Sequence, residues 1–112
     1  MESARWSAGI APFGRLAESF RVLGHPVRLF LLHLLEQSGG ELSCADLLRR
    51  TGATKAALSQ HLGKMAAAGL VRTRREGRYL FVALASPEVG QACSRLCASL
   101  REGSRAPDEN PT

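Results

Sequence analysis

Cysteine is scarce in this chain, with only Cys44, Cys93 and Cys97 among 112 residues. An odd count without framework spacing excludes a disulfide-stapled scaffold, so free thiols in a reducing, cytoplasmic setting are expected. Long apolar runs are missing as well. The longest, around Val27 to Leu35, is interrupted by Arg28 and His33, whereas a membrane span needs about 20 apolar residues. The opening MESARWSAGIAPFGR has no charged segment leading into an apolar one and does not read as a secretory signal. Also lacking are a carboxylate pair, a Ser/His/Asp set and a phosphate-cradling glycine loop, so no enzyme is expected. There is no internal repeat.

What is present is an ordinary apolar content of 45% in a length that suits one compact domain. The net charge of +5 and a pI near 9.9 favour a polyanionic partner, provided the charge is clustered.

Periodicity divides the chain. Ala17, Phe20, Val22 and Leu23 suggest a first amphipathic helix from about Pro12, stopped by Gly24. Pro26 suits the first turn of a second helix, apolar on most sides and therefore buried, ending near Gln37. Ser43, with Asp46 three residues on, reads as a capping arrangement for a third helix from Cys44 to about Arg50. After a turn at Thr51 and Gly52, Thr54 caps a fourth helix with the apolar stripe Leu58, Leu62, Met65 and Ala66. Beyond Gly69 the period becomes extended: LVRTR and RYLFVAL form a hairpin turning at Glu76 and Gly77. Ser86, Pro87 and Glu88 open a fifth helix reaching about Glu102. Residues 1–11 are expected to be a flexible segment, 12–102 the domain, and 103–112 a disordered tail. The fold class is mainly α with a β-hairpin, in the order α-α-α-α-β-β-α.

Two short helices joined by a tight turn and followed by a basic hairpin are the parts of a winged helix-turn-helix. Between Arg49 and Arg78 the only acid is Glu76, against eight basic residues. On the fourth helix Lys55, Ala56, Ser59, Gln60, Gly63 and Lys64 share the polar face. Ser59 and Gln60 suit base edges or phosphates; Thr54, Lys55, Lys64, Arg72, Arg74, Arg75 and Arg78 complete the expected DNA-contacting set. His61 lies at the margin of that face, where a DNA contact and helix packing compete. Tyr79 is divided between a phosphate contact and strand packing. Gly63 lowers helix propensity by about 1 kcal/mol relative to Ala, which fits close approach to a partner or to a neighbouring helix.

The segments FRVLGHPVRLFLLHLL, GELSCADLLRRTGATKAALSQHLGKMAAAGLV and RTRREGRYLFVAL resemble the ArsR/SmtB family of bacterial winged-helix repressors, over roughly Leu16 to Leu100. The resemblance implies a homodimer formed through the first and fifth helices, binding a palindromic double-stranded operator and leaving it when an effector arrives. Val89, Ala92, Cys93, Leu96 and Leu100 form a stripe on the fifth helix for that dimer seam or for burial within the chain. The alternative, in another class, is a winged-helix module that binds protein or RNA.

Metal sensing in this family often uses two cysteines at the entry to the third helix. Here Ser43 and Ala45 occupy those positions, and Cys44 lies between them. The family's other common site, of carboxylates and histidines on the fifth helix, finds Ser86, Ser99 and Glu102. Cys93 and Cys97, four residues apart, have Cβ atoms about 5–6 Å apart on one helix face. They can chelate a soft metalloid or metal, with Cys44 as a third ligand; they can form a redox or sulfur-sensing pair; or all three thiols are inert small hydrophobes. His25 and His33 are read as packing groups. DNA binding itself requires no cofactor.

Overall fold

The computed structural model describes residues 9–109. Residues 1–8 and 110–112, which belong to the two expected terminal segments, lie outside it. Five helices and a small sheet follow one another as α1 (Phe13–Leu23), α2 (Pro26–Gln37), β1 (Glu41–Ser43), α3 (Cys44–Thr51), α4 (Lys55–Ala67), β2 (Val71–Glu76), β3 (Tyr79–Leu84) and α5 (Pro87–Glu109). Local chemistry sets most of these boundaries. Pro26 occupies the first turn of α2, and the His25 ring caps it by accepting the Val27 N–H at Nδ1, 3.1 Å away. Ser43 Oγ accepts the Asp46 N–H at 3.1 Å to start α3, and Thr54 Oγ1 accepts the Ala57 N–H at 3.1 Å to start α4. Each side-chain acceptor satisfies one of the amide groups that the first helical turn leaves unpaired.

Four expectations need revision. The Asp46 carboxylate pairs with Arg49, three residues on, instead of completing a reciprocal cap. Strand β1 went unrecognised because three residues show too little alternation to announce a strand; it pairs antiparallel with β3, giving the order β1-β3-β2. The hairpin turns at Gly77 and Arg78, since Glu76 still pairs with Tyr79. Gly77, at φ +62°, occupies the first turn position, where a two-residue loop of this kind requires left-handed backbone. Finally, α5 continues through residues 103–109, where a tail was expected. Gly103 and Pro107 disfavour helix by about 1 and 3 kcal/mol, but extending an existing helix avoids the cost of nucleation.

The core lies where α2, α3, α4 and the sheet meet. Leu31, Leu32, Leu35, Leu47, Met65 and Val82 are fully buried there, and no polar or charged residue is buried among the described residues. Helix α2 is less enclosed than its composition implied: Leu29 and Phe30 are 38% and 42% exposed. Helix α5 packs on α2 at Gly90, where a Cβ would sit 2.7 Å from both Glu36 Cγ and Leu84 Cδ1. A side chain there would force Glu36 and Leu84 to shift. Ser94 Oγ donates to Glu36 Oε1 at 3.1 Å across the same contact. Among the described residues no helix is long and apolar enough to cross a membrane.

Candidate nucleic-acid interface

Helix α4 is held by its apolar side. Leu58, Leu62 and Met65 are buried, whereas Lys55, Ala56, Ser59, Gln60, Gly63 and Lys64 are exposed together with the capping Thr54. Ala66, expected in the buried stripe, is exposed on the side that faces the hairpin. The turn before α4 is shaped by Gly52, whose N–H donates to the Leu48 carbonyl at 3.0 Å.

The basic residues of the hairpin separate by strand alternation. Arg72 and Arg74 share one face of β2; Thr73 and Arg75 share the other, toward α4; Arg78 is in the turn. Arg74 is fully engaged: its Nε and Nη2 donate to the two carboxylate oxygens of Glu41 at 3.0 and 3.1 Å, and its Nη1 donates to Glu76 Oε1 at 3.2 Å. Its guanidinium also lies 4.5 Å from the centroid of the Phe81 ring. The hydrogen bond from Arg74 is the main cause holding the Glu41 carboxyl below its ordinary range, and the two carboxylates raise Arg74 in return. Arg74, expected as a DNA contact, is thus also tied to β1 through Glu41, while its side chain stays half exposed. Arg75 and Arg78 have no ion pair among the described residues.

His61 is engaged inward. Arg28 Nε donates to His61 Nδ1 at 3.1 Å, Arg28 Nη1 donates to the Val22 carbonyl at 3.0 Å, and the His25 and His61 rings meet edge to face with centroids 4.5 Å apart. Burial, then the charges of His25 and Arg28, push the His61 imidazole below its ordinary pKa. Of its two competing uses, packing is the one this geometry serves. Tyr79, by contrast, is 58% exposed beside Arg78.

The cysteines lie in two places. Cys44 is half-buried in a groove between α4 and the hairpin, where burial raises its thiol pKa and Arg75 and Lys55 partly offset the rise. Cys93 packs against the core from α5; burial raises it, and neighbouring Cys97 adds to the shift. No group of three or more His, Cys, Asp or Glu side chains comes together among the described residues. Cys44 therefore does not complete a three-thiolate site with Cys93 and Cys97 of the same chain. The α5 stripe is also divided, with Val89 and Cys93 turned to the core while Leu96 and Leu100 are 52% and 64% exposed.

The engagement of Arg28 and Arg74 was missed at the level of sequence. A correctly placed hairpin turn would have set Arg74 opposite Phe81, but Glu41 reaches it only through the unrecognised β1.

Residues 23–74 match the model of a helix-turn-helix domain family. Over 90 residues the chain is 38% identical to the biofilm growth-associated repressor of Agrobacterium fabrum, covering 80% of this chain and 72% of that protein. It is 37% identical over 78 residues to the uncharacterized HTH-type transcriptional regulator Rv0081 of Mycobacterium tuberculosis, covering 67% of this chain and 65% of the length of that relative. The homodimeric winged helix-turn-helix DNA-binding domain of Mb0332 from Mycobacterium bovis, a possible ArsR-family regulator, superposes with a TM-score of 0.77 at 26% identity, covering 86% of this chain and 87% of that one. With the helix order, the wing and these likenesses in agreement, the chain belongs to the ArsR family of winged helix-turn-helix transcriptional regulators, a family of regulators and not of enzymes.

Proposed function

We propose that this chain is a homodimeric transcriptional repressor that binds a palindromic operator through α4 and the wing and is released by an effector. The observation that carries the reading is the exposed face of α4: Lys55 and Ser59 share a groove with Arg75 and Arg78, which have no ion pair among the described residues, and Gln60 and Lys64 are exposed on the same helix. A helix fits the major groove, where Gln and Ser can hydrogen-bond base edges, and cations at the margins neutralise phosphates. Arg72, on the outer face of the wing, and Thr54, at the mouth of α4, extend the contact to the flanking backbone. His61 and Arg74 act from behind the interface, fixing the pose of helix and wing.

Dimerisation is supported by the apolar side chains that α1 and α5 leave uncovered. Phe13, Leu16 and Phe20 are 57%, 50% and 56% exposed, next in kind to Leu96 and Leu100. Burying such a surface against a second copy removes apolar area from water, and two-fold pairing doubles the base contacts available to one small wing. Cys93 and Cys97 border this surface, so a thiol-seeking metalloid, metal or sulfur species bound there would act on the dimer, with further ligands drawn from the second protomer.

The test is duplex binding by fluorescence anisotropy, using a sequence selected from a randomised pool. Salt-dependent, sequence-specific binding lost in Ser59→Ala/Gln60→Ala supports the reading; binding indifferent to sequence and to both residues refutes it and favours an interaction module. Repeating the measurement with arsenite, zinc and polysulfide, in wild type and Cys93→Ser/Cys97→Ser, tests the effector. Release that persists in the variant removes these cysteines from that role.

A further inference from the structure

The groove that holds Cys44 has properties that contact with a DNA backbone does not require. It runs between α4, the start of α3 and the hairpin, and encloses about 610 Å³, within the range of small-molecule sites. Its floor is apolar, formed by Leu48, Leu58, Leu62, Ala66 and Leu80. Its rim carries Lys55, Arg75 and Arg78, and no carboxylate lines it. The carboxylates closest by sequence and strand pairing are engaged elsewhere: Asp46 pairs with Arg49, and Glu41 and Glu76 pair with Arg74 on the opposite face of the hairpin. The rim cations therefore have no ion-pair partner among the described residues. Gly63 keeps the α4 wall low. A Cβ there would meet nothing within 4 Å, so packing within the chain does not require a residue this unfavourable in a helix.

We infer that this groove binds a small amphipathic carboxylate, an anion with the chemistry of a medium-chain fatty acid, and that its occupancy excludes DNA from the same face. An alkyl chain covers the half-exposed Leu48 and Leu80, and the carboxylate receives the fork of Arg75 or Arg78 in the paired geometry that guanidinium offers. A nucleotide or a bare phosphate satisfies the rim and leaves the floor wet. Because Lys55 and Ser59 line the groove as well as belonging to the DNA-facing set, a bound chain covers them. The exclusion half of this inference rests on the operator-binding reading; the binding half does not.

Isothermal titration of the full chain with decanoate, without DNA, tests the site directly. One decanoate per chain is expected, held at least ten-fold more tightly than decyltrimethylammonium, which has the same tail and the opposite charge, while acetate gives no heat. Arg75→Gln/Arg78→Gln is expected to weaken decanoate at least ten-fold. Gly63→Leu, which fills the groove from an exposed helical position, is expected to abolish it. Decanoate binding indifferent to both variants places the ligand on another apolar surface and overturns the inference, as does its absence when the duplex still binds. Decanoate and duplex bound together without mutual effect overturns the exclusion. Groove-dependent decanoate binding by a protein that takes up no duplex refutes the operator reading and leaves the site standing.

Discussion

Arg74 and Arg75 are neighbours in sequence and opposite in circumstance. Arg74 gives three hydrogen bonds to two carboxylates and lies over Phe81; Arg75, on the other face of the same strand, points toward α4 with no ion pair among the described residues. Arg28 repeats the first pattern behind α4, with its donors on His61 and the Val22 carbonyl. Among the described residues, these cations thus divide into ones engaged by distant acceptors and ones without an ion pair. A count of positive charge cannot separate the two, because availability depends on which acceptors the fold brings close.

Removing cations of the two kinds should therefore damage different properties. The largest effect is expected from Arg75→Ala/Arg78→Ala: duplex affinity falls more than ten-fold, and the slope of log K against log salt drops by about 4, roughly one unit for each phosphate that the dimer no longer neutralises. Its unfolding free energy should change by no more than about 0.5 kcal/mol, and a large loss of stability in urea would show that these residues are braces after all. Arg28→Ala comes next. It should destabilise the chain by about 1–2 kcal/mol, since a charged donor is removed from two part-buried acceptors, while the salt slope stays unchanged.

The Arg74 brace predicts a smaller and paired result. Arg74→Ala and Glu41→Gln should lower the melting temperature in the same direction, and both should weaken duplex binding only slightly. If Arg74 instead contacts phosphate, Glu41→Gln would free it and strengthen binding, the opposite sign. The smallest effect is in pH. His61 is held below its ordinary value of 6.5 in the folded chain, so below that pH the unfolded chain takes up the proton more readily. Stability is complete above about pH 6.5 and declines as pH falls toward and through the lower folded value. Urea unfolding at a series of pH values should show the decline, and His61→Gln, which keeps an acceptor for Arg28, should flatten it.

Much of the molecule was legible beforehand because its signals are local. Ser43 and Thr54 sit as caps, Pro26 opens α2, and the polar face of α4 is exposed as its three- and four-residue spacing implied. The misreadings share a different cause. β1 is short and exists through its pairing with β3; Ala66 is apolar yet faces a groove that only the hairpin creates; Leu29 and Phe30 belong to a surface that a single chain leaves open.

By itself, then, the sequence determined where helices begin, which side of α4 is polar, and that positive charge concentrates in the helix-turn-helix and wing. Those properties follow from backbone capping and periodicity, which act over one or two turns. Tertiary structure alone decided which cations are engaged. It brought Glu41 to Arg74 across 33 positions and Arg28 to His61 across another 33, and hydrogen bonds of 3 Å between distant residues are set by packing, not by local propensity. The same packing placed Cys44 in the groove beside α4, apart from the α5 cysteines, and left Arg75 and Arg78 at its rim without an ion pair among the described residues.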